Sequence, residues 1–317
     1  MADAEALYEQ LCESDQSDGL PVIPPTGDRV DAALSHSHRD ADEVIFAIPT
    51  SFDDLTVESL ASCAVMAGCK PEYFPVILAA AEAMAGWDNL EAVKATTGGY
   101  DTAIIVNGPI RDELDINCGT GLFGPGYRAN ATIGRAMSLA FLTVGGVYPD
   151  RGTKATHTFP GRYTFCFGER ESTTDWAPLH ADIADMDPDE SAVTVVTAHA
   201  PHLLSEGAAT RKSVEDVAKI LAHGAAAPGT AGAAEPGEIV FVLGQDHAGR
   251  LSEELSKREA KELLHEHCTL PYSEQRMLGD PEDALIVTAG GIGNNSMAIH
   301  TMTFAGNEAV TRRIARD

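Results

Sequence analysis

The sequence predicts an α/β fold, with a mostly parallel or mixed sheet and helices on both faces. Short apolar runs such as DTAIIVN (101–107), VTVVTA (193–198) and DALIVT (283–288) are typical of buried strands. Longer segments with helical periodicity alternate with these runs along the chain. That alternation is the pattern of strands connected by helices, and it predicts a sheet with helices packed on it.

A polar, turn-rich stretch near residues 181–192 divides the chain of 317 residues. This length suits one large domain or two ordinary ones, because single cores rarely grow beyond about 250–300 residues. The prediction is an α/β domain over residues 1–185 and a second α/β subdomain over residues 186–317, packed on it. The first of these contains Cys69 and the glycine-rich loop before Arg128.

Two helices are expected between residues 54 and 86. Asp54 or Thr56 can cap the first helix, because a short side-chain oxygen accepts hydrogen bonds from free backbone N–H groups. Gly68 ends this helix, since glycine adopts the left-handed conformation without strain. Pro71 opens the second helix, at a position where the missing N–H would have no partner in any case.

The later elements are expected from the same signals. After the strand at 101–107 comes a glycine-rich loop over residues 116–130, and Asn130 is expected to cap the helix over residues 131–144. The other expected elements are the strands 162–169, 193–198, 238–244 and 283–291 and the helices 213–226 and 256–268.

Composition excludes two classes of partner. The chain carries 48 Asp and Glu against 22 Lys and Arg, a formal net charge of −26. Such a surface repels nucleic acid and anionic lipid, and no apolar run is long enough to span a membrane. The acidic N-terminus does not resemble a secretion signal, so a cytoplasmic protein is expected. The charge favours a halophilic source over an ordinary acidic protein, and a homo-oligomer is expected on general grounds.

The segment AVMAGCKPEYFPV (64–76) is the first candidate for chemistry. Cys69 stands just before a helix start, where free N–H groups and the positive end of the helix dipole favour thiolate over thiol. Lys70 acts in the same direction, and Glu72 can shuttle a proton. The alternative is that Cys69 is a buried, inert residue in a turn between two packed helices.

The second candidate is the loop and helix GTGLFGPGYRANATIGR (119–135). Glycines such as Gly124 and Gly126 let the backbone approach a ligand, and the N-terminus of the following helix offers N–H donors to an anion. Arg128 and Arg135 can each hold a carboxylate or phosphate in bidentate fashion. The motif is not a nucleotide-binding fingerprint, so no cofactor is assigned. The alternative is a tight turn with surface arginines.

The third candidate is DALIVTAGGIGNNSMAIH (283–300), a buried strand that runs into a glycine-rich turn with Ser296. Ligands of open α/β sheets bind beyond the carboxyl ends of strands, so this turn is a candidate wall of the site. His247 follows another strand and is a candidate general acid or base. It could also serve a metal-dependent hydrolase with His199 or His202, but the spacing of these residues and of the six cysteines predicts no metal site.

Several of these segments together resemble a little-characterised prokaryotic family that is associated with the short UGSC-motif proteins, whose motif holds cysteine or selenocysteine. The similar segments are DGLPVIPPT (18–26), AVMAGCKPEYFPVILAA (64–80), IIVNGPI (104–110), FGPGYRANATIGRA (123–136) and AGGIGNNS (289–296). The resemblance implies a redox- or thiol-linked enzyme that works with a small Cys/Sec partner protein. The matching positions are Cys69, Glu72, Asn107, Arg128, Asn130 and Arg135. This chain has no GSC motif, so the partner would have to supply it.

The leading hypothesis is a cysteine-dependent enzyme, a thiol oxidoreductase or lyase, that acts on a small anionic substrate. Cys69 would attack or exchange with the substrate, and Glu72 or His247 would move protons. The expected substrate-binding residues are Asn107, Gly124, Gly126, Arg128, Asn130, Arg135 and Ser296. Two alternatives stand beside it, a non-catalytic ligand-binding subunit of a two-component thiol system and a metal-dependent hydrolase.

Overall fold

The structure, a computed structural model, describes residues 4–48, 54–207, 212–227, 236–303 and 306–316. Its helices are α1 (Ala4–Glu13), α2 (Gly27–Leu34), α3 (Val57–Ala67), α4 (Phe74–Met84), α5 (Leu90–Ala95), α6 (Pro109–Glu113), α7 (Arg128–Leu139), α8 (Leu179–Ala184), α9 (Val214–Ala225), α10 (Gln245–Glu254) and α11 (Lys257–His267). Its strands are β1 (Val44–Ala47), β2 (Asp54–Thr56), β3 (Asp101–Asn107), β4 (Tyr148–Pro149), β5 (Gly152–Thr153), β6 (Cys166–Gly168), β7 (Ala192–Ala198), β8 (His202–Ser205), β9 (Ile239–Leu243), β10 (Ala284–Thr288), β11 (Asn295–His300) and β12 (Val310–Arg313). The predicted α/β class is confirmed.

Two four-stranded mixed sheets form the centre of the molecule. The first has the order β12-β7-β3-β6, with β3 antiparallel to β7 and parallel to β6. The second has the order β10-β9-β11-β8, with β9 parallel to β10 and β11 antiparallel to both of its neighbours. Two smaller strand pairs, β1 with β2 and β4 with β5, lie outside these sheets.

The two sheets stack face to face between two layers of helices. Because successive side chains of a strand point to opposite faces, Ile105 of β3 and Val240 of β9 lie in the core between the sheets. Ile104 of β3 instead packs with α3, α4 and α7, and Phe241 of β9 packs with α9, α10 and α11. Strands buried on both faces read as continuous apolar runs, which explains the sequence pattern. No helix of the described ranges combines the length and apolar character that crossing a membrane requires.

Strands on both sides of the expected boundary share one sheet. β7 and β12 follow residue 185, yet they pair in the first sheet beside β3. The chain end is also tied back by the indole N–H of Trp87, which donates to the Glu308 carbonyl oxygen at 2.9 Å. The division into residues 1–185 and 186–317 stays a prediction, and the strand pairing joins the two parts closely.

Local capping signals were correct for one helix and wrong for another. Thr56 caps α3, and Gly68 ends it in the left-handed conformation with φ of 88°. Asn130 does not cap α7, because that helix already begins at Arg128. The buried Asn130 amide instead accepts from the Asn117 N–H at 2.7 Å and donates to the Asn117 carbonyl at 3.0 Å. The local pattern assigns this side chain to the helix start, but in the folded chain it is hydrogen-bonded to a residue of another segment.

Gly134 marks the closest approach of α7 to the chain that enters β6. A Cβ at this position would lie 2.5 Å from the Phe165 nitrogen and 2.5 Å from Thr164 Oγ1. We expect Gly134→Ala to lower the free energy of unfolding by about 1–3 kcal/mol, because the helix must move away from the strand. Urea denaturation followed by circular dichroism measures this change.

Gly249 in α10 supplies the matched control, since a Cβ there meets no atom within 4 Å. Gly249→Ala should raise the free energy of unfolding by about 0.5–1 kcal/mol, because alanine loses less backbone entropy in a helix. Equal effects of the two substitutions would contradict the close contact at Gly134.

Candidate functional site

The carboxyl ends of β9 and β10 open into a cavity of about 440 Å³. We call it the glycine cavity; it lies between the loop 120–124, the turn 289–293, Gly244 and Ser296. The second and third sequence candidates, which are far apart in the chain, therefore form opposite walls of one site. Its position matches the rule that ligands of α/β sheets bind beyond the carboxyl ends of strands.

Glycines allow the walls of this cavity to come together. A Cβ at Gly244 would collide with the carbonyl oxygen of Asn295, and a Cβ at Gly291 would lie 2.7 Å from Thr120 Oγ1. The loop and the turn are also joined by the Gly290 N–H, which donates to the Cys118 carbonyl at 3.0 Å. The cavity thus depends on backbone approach that other residues would prevent.

Ser296 and His247 form a buried hydrogen-bonded pair at the glycine cavity. His247 Nδ1 lies 2.7 Å from Ser296 Oγ, and the two residues are 0% and 3% exposed. The Gly244 N–H donates to the same hydroxyl oxygen at 3.1 Å. When the hydroxyl donates to Nδ1, the imidazole proton lies on Nε2. This geometry suits proton transfer from the serine hydroxyl to the imidazole.

Burial and a nearby carboxylate act in opposite directions on the pKa of His247. Burial lowers the pKa of His247, while the nearby Glu206 carboxylate acts in the opposite direction. Among the described residues, His247 Nε2 and Glu206 Oε2 are both buried without a hydrogen-bond partner. Arg250 Nη1 holds the other Glu206 oxygen at 2.6 Å. Glu206 is thus a fixed carboxylate that stabilises a protonated His247.

The amino terminus of α10 adds a positive dipole end to the site. Gly244 is the N-cap of this helix and lines the glycine cavity, and His247 lies in the first turn. Two N–H groups at this end already donate to protein oxygens, Gly244 N–H to Ser296 Oγ at 3.1 Å and Gln245 N–H to the Gly291 carbonyl at 3.3 Å. The positive end of the helix dipole is therefore the feature that favours negative charge on a bound oxygen. No Asp, Glu, Lys or Arg belongs to the cavity wall as far as the described residues go.

The two arginines of the second candidate bind protein groups outside the glycine cavity. Arg128 donates from Nε and Nη2 to the Gly68 carbonyl oxygen at 2.9 and 2.8 Å. Arg135 forms a bidentate pair with Asp18, at 2.7 and 2.9 Å, and also donates to the Pro21 carbonyl. Both guanidinium groups hold the 18–26 segment or the end of α3. Their role in gripping an anionic substrate stays a prediction.

Cys69 lies in a separate cavity of about 290 Å³, together with Lys70 and Arg128. Its thiol donates to the Thr132 carbonyl oxygen at 3.2 Å. Burial raises the pKa of Cys69 to about 12, the opposite direction to the one expected for a helix start. The reason is that α4 begins only at Phe74, after a 3₁₀ turn, and the thiol faces α7 instead. The catalytic role of Cys69 stays a prediction.

The other predicted residues occupy three different environments. The amide of Asn107 donates to Glu169 Oε2 at 2.6 Å and to Glu171 Oε1 at 3.0 Å, within a network between the sheets. Glu72 is about half exposed and pairs with Lys70 at 3.5 Å. Gly124 lines the glycine cavity, whereas Gly126 has left-handed backbone with φ of 126° and is not part of that wall.

Metal ligation finds no support in the described side chains. No group of three or more His, Cys, Asp or Glu among them could hold a metal ion. The candidate ligand His202 packs edge-on against His300 at 5.6 Å, and His199 packs against Tyr100 at 4.8 Å. The sequence reasoning named Ser296 and His247 separately but missed both their pairing and Glu206, whose contribution no local motif signals.

Comparison of the chain with protein-family models, with curated proteins and with solved structures finds no match. Function must therefore be argued from the geometry of the site. Among the predicted catalytic and binding residues, Ser296 and Gly124 line one cavity, and the buried His247 is connected to it by its hydrogen bond to Ser296.

Native Cys69 should react with iodoacetamide at pH 8 on the order of a thousandfold more slowly than a model thiol of pKa ~8.5, because so little thiolate forms. Peptide mapping by mass spectrometry measures the labelling rate. The same peptide labelled in urea controls for intrinsic reactivity. Rapid labelling in the native protein would contradict the raised pKa and would favour the cysteine-dependent mechanism.

Proposed function

We propose that this protein is a hydrolase of small carboxylic esters, with Ser296 as nucleophile and His247 as general base. The observation that supports this most is the buried 2.7 Å hydrogen bond between His247 Nδ1 and Ser296 Oγ. Ser296 lines a cavity beyond the carboxyl ends of two parallel strands, which is where ligands of α/β sheets bind. A nucleophile within hydrogen-bond reach of a base, which a third group stabilises, is the arrangement that covalent acyl transfer requires.

The reaction has two steps that balance. Ser296 Oγ attacks the carbonyl carbon, its proton passes to His247 Nδ1, and the bond to the leaving alcohol breaks as His247 returns the proton to that oxygen. Water then attacks the acylated serine and gives its proton to His247, which passes it to Ser296 as the acid departs. The sum is ester plus water to acid plus alcohol, with no oxidant or reductant.

Two features of the site stabilise the charges that form during the reaction. The Glu206 carboxylate stabilises the imidazolium that forms when His247 takes the proton, because it favours the protonated form. The positive end of the α10 dipole, at Gly244 in the cavity wall, favours the negative charge that develops on the carbonyl oxygen. The uncharged wall of the glycine cavity suits a neutral acyl group, and an anionic part of the substrate would bind at the helix start.

The thiol-linked hypothesis remains as a second candidate. A specific observation favours it, since Cys69 lines its own cavity beside the cations Lys70 and Arg128. On this proposal the chain is a redox or lyase enzyme that acts with a small Cys/Sec partner protein, as the family resemblance implies. The thiol-linked proposal and the serine hydrolase proposal are compatible if the substrate is a thioester. Ser296 would attack its carbonyl carbon, and the partner protein would supply the leaving thiol.

Replacing either member of the pair should remove hydrolysis. We expect Ser296→Ala and His247→Gln each to lower kcat/KM for p-nitrophenyl acetate by at least about a hundredfold, because the nucleophile or its base is lost. The double variant should fall no further, since residues that act as a unit are not additive. Release of p-nitrophenolate measures the rate, and circular dichroism checks the fold.

Ser138→Ala in α7 is the matched control, because Ser138 lines no part of the glycine cavity in the described structure and its removal should leave the rate unchanged. Full activity in Ser296→Ala would refute the serine mechanism. A protein that binds small esters without any turnover would instead be the non-catalytic ligand-binding subunit.

Removing Glu206 should move the pH dependence of the reaction. The rate should rise as His247 loses its proton, at a pH below ~6.5, because burial lowers the pKa of this histidine. Glu206→Gln should shift that rise to still lower pH and reduce the plateau, since the carboxylate raises the pKa and stabilises the imidazolium. A reduced plateau with no shift in the profile would show that Glu206 acts only on stability.

A further inference from the structure

A second cavity, of about 470 Å³, adjoins the glycine cavity across a single loop. We call it the aromatic cavity; it lies between Phe159, Phe165, Pro160 and Pro201. The two cavities share Leu122, Phe123 and Gly124 as a common wall. The two cavities are therefore neighbours, with the loop 122–124 between them.

Phe123 stands at the boundary between the two cavities. Its ring packs edge-to-face on Phe165 at 5.4 Å and on Phe167 at 5.2 Å, and 38% of the residue remains exposed. The ring thus presents an apolar surface to both cavities. The next residue, Gly124, also lines both cavities and adds no side chain to the wall between them.

The polar groups of the aromatic cavity are already satisfied within the protein. The Asn130 amide donates to the Asn117 and Cys166 carbonyls, at 3.0 and 3.1 Å, and its oxygen accepts from the Asn117 N–H. The Thr164 hydroxyl donates to the Asn130 carbonyl at 2.9 Å. The described wall includes no charged side chain. An apolar occupant gains from this surface, whereas a polar one finds few free partners.

We infer that the substrate is an ester with a medium-length apolar acyl chain. Its carbonyl carbon lies at Ser296 in the glycine cavity, and its chain passes Phe123 into the aromatic cavity. This inference rests on the proposed esterase function and adds the substrate class. Chain selectivity then comes from buried apolar surface, and each CH₂ that leaves water contributes about 0.8 kcal/mol, or roughly fourfold in kcat/KM.

The test compares p-nitrophenyl acetate, butyrate and octanoate, which share one leaving group. With the rate of Ser296→Ala subtracted, kcat/KM should rise at least tenfold from acetate to octanoate. Ala131→Trp should abolish this preference and leave acetate hydrolysis intact, because Ala131 is an exposed position on α7 that lines only the aromatic cavity. Glu58→Trp, at an exposed position of α3, is the control and should keep the preference.

Two kinetic outcomes would overturn the inference while the esterase survives. One is Ser296-dependent hydrolysis without a chain preference, and the other is an equal loss for all three esters in Ala131→Trp. Ala131→Val, a smaller filler, gives an intermediate preference if the larger variant does not fold. This variant distinguishes the effect of filling the aromatic cavity from the effect of losing the fold.

Direct binding tests the cavity when no ester is hydrolysed. Titration calorimetry with decan-2-one, an uncleavable analogue of the acyl chain, should show binding to the native protein and to Ser296→Ala but not to Ala131→Trp. Binding with this pattern and no turnover would support the apolar site and refute the esterase. No binding to any form would overturn the inference.

Discussion

The contact between the two apolar sheet faces is the interaction on which the rest of the structure depends. Ile105 and Val240, from different sheets, share one core with Leu179 of α8, while α3, α4, α7 and α9 to α11 pack on the outer faces of the sheets. Burial of strands on both faces is favourable because it removes apolar surface from water, and it fixes how the sheets lie against each other. Loops that follow strands of both sheets can then meet at the edge of this shared core, where the glycine cavity forms.

The buried carboxyl group of Glu169 connects the two sheets near this cavity. Glu169 follows β6 of the first sheet, and its Oε2 accepts from the Asn107 amide at 2.6 Å and from the Leu179 N–H at 2.7 Å. Its Oε1 accepts from the N–H of Thr288, at the end of β10 in the second sheet, at 3.4 Å. Burial raises the pKa of Glu169, and these donors act against that effect. A buried carboxyl group needs such partners. Glu169 therefore connects the carboxyl ends of strands that belong to different sheets.

The charge of the whole chain gives little information about the site. A net charge of −26 describes the surface and its interaction with solvent and salt, whereas the glycine cavity has an uncharged wall in the described structure. The scarcity of cations in this chain makes Arg128 and Arg135 candidates for binding an anionic substrate. Each instead binds protein oxygen atoms, and this anchors the loop before α2 to α3 and α7.

The sequence by itself determined the α/β class, the strand at 101–107 and the end of α3 at Gly68, and it limited the cap of α3 to Asp54 or Thr56. These features depend on apolar runs, caps and backbone conformations that involve near neighbours in the chain. The tertiary structure decided that Ser296 meets His247, 49 residues away in the chain, and that Cys69 is buried against α7, which raises the pKa of its thiol. Such pairings depend on sheet register and on burial, and no local pattern of residues encodes either of them.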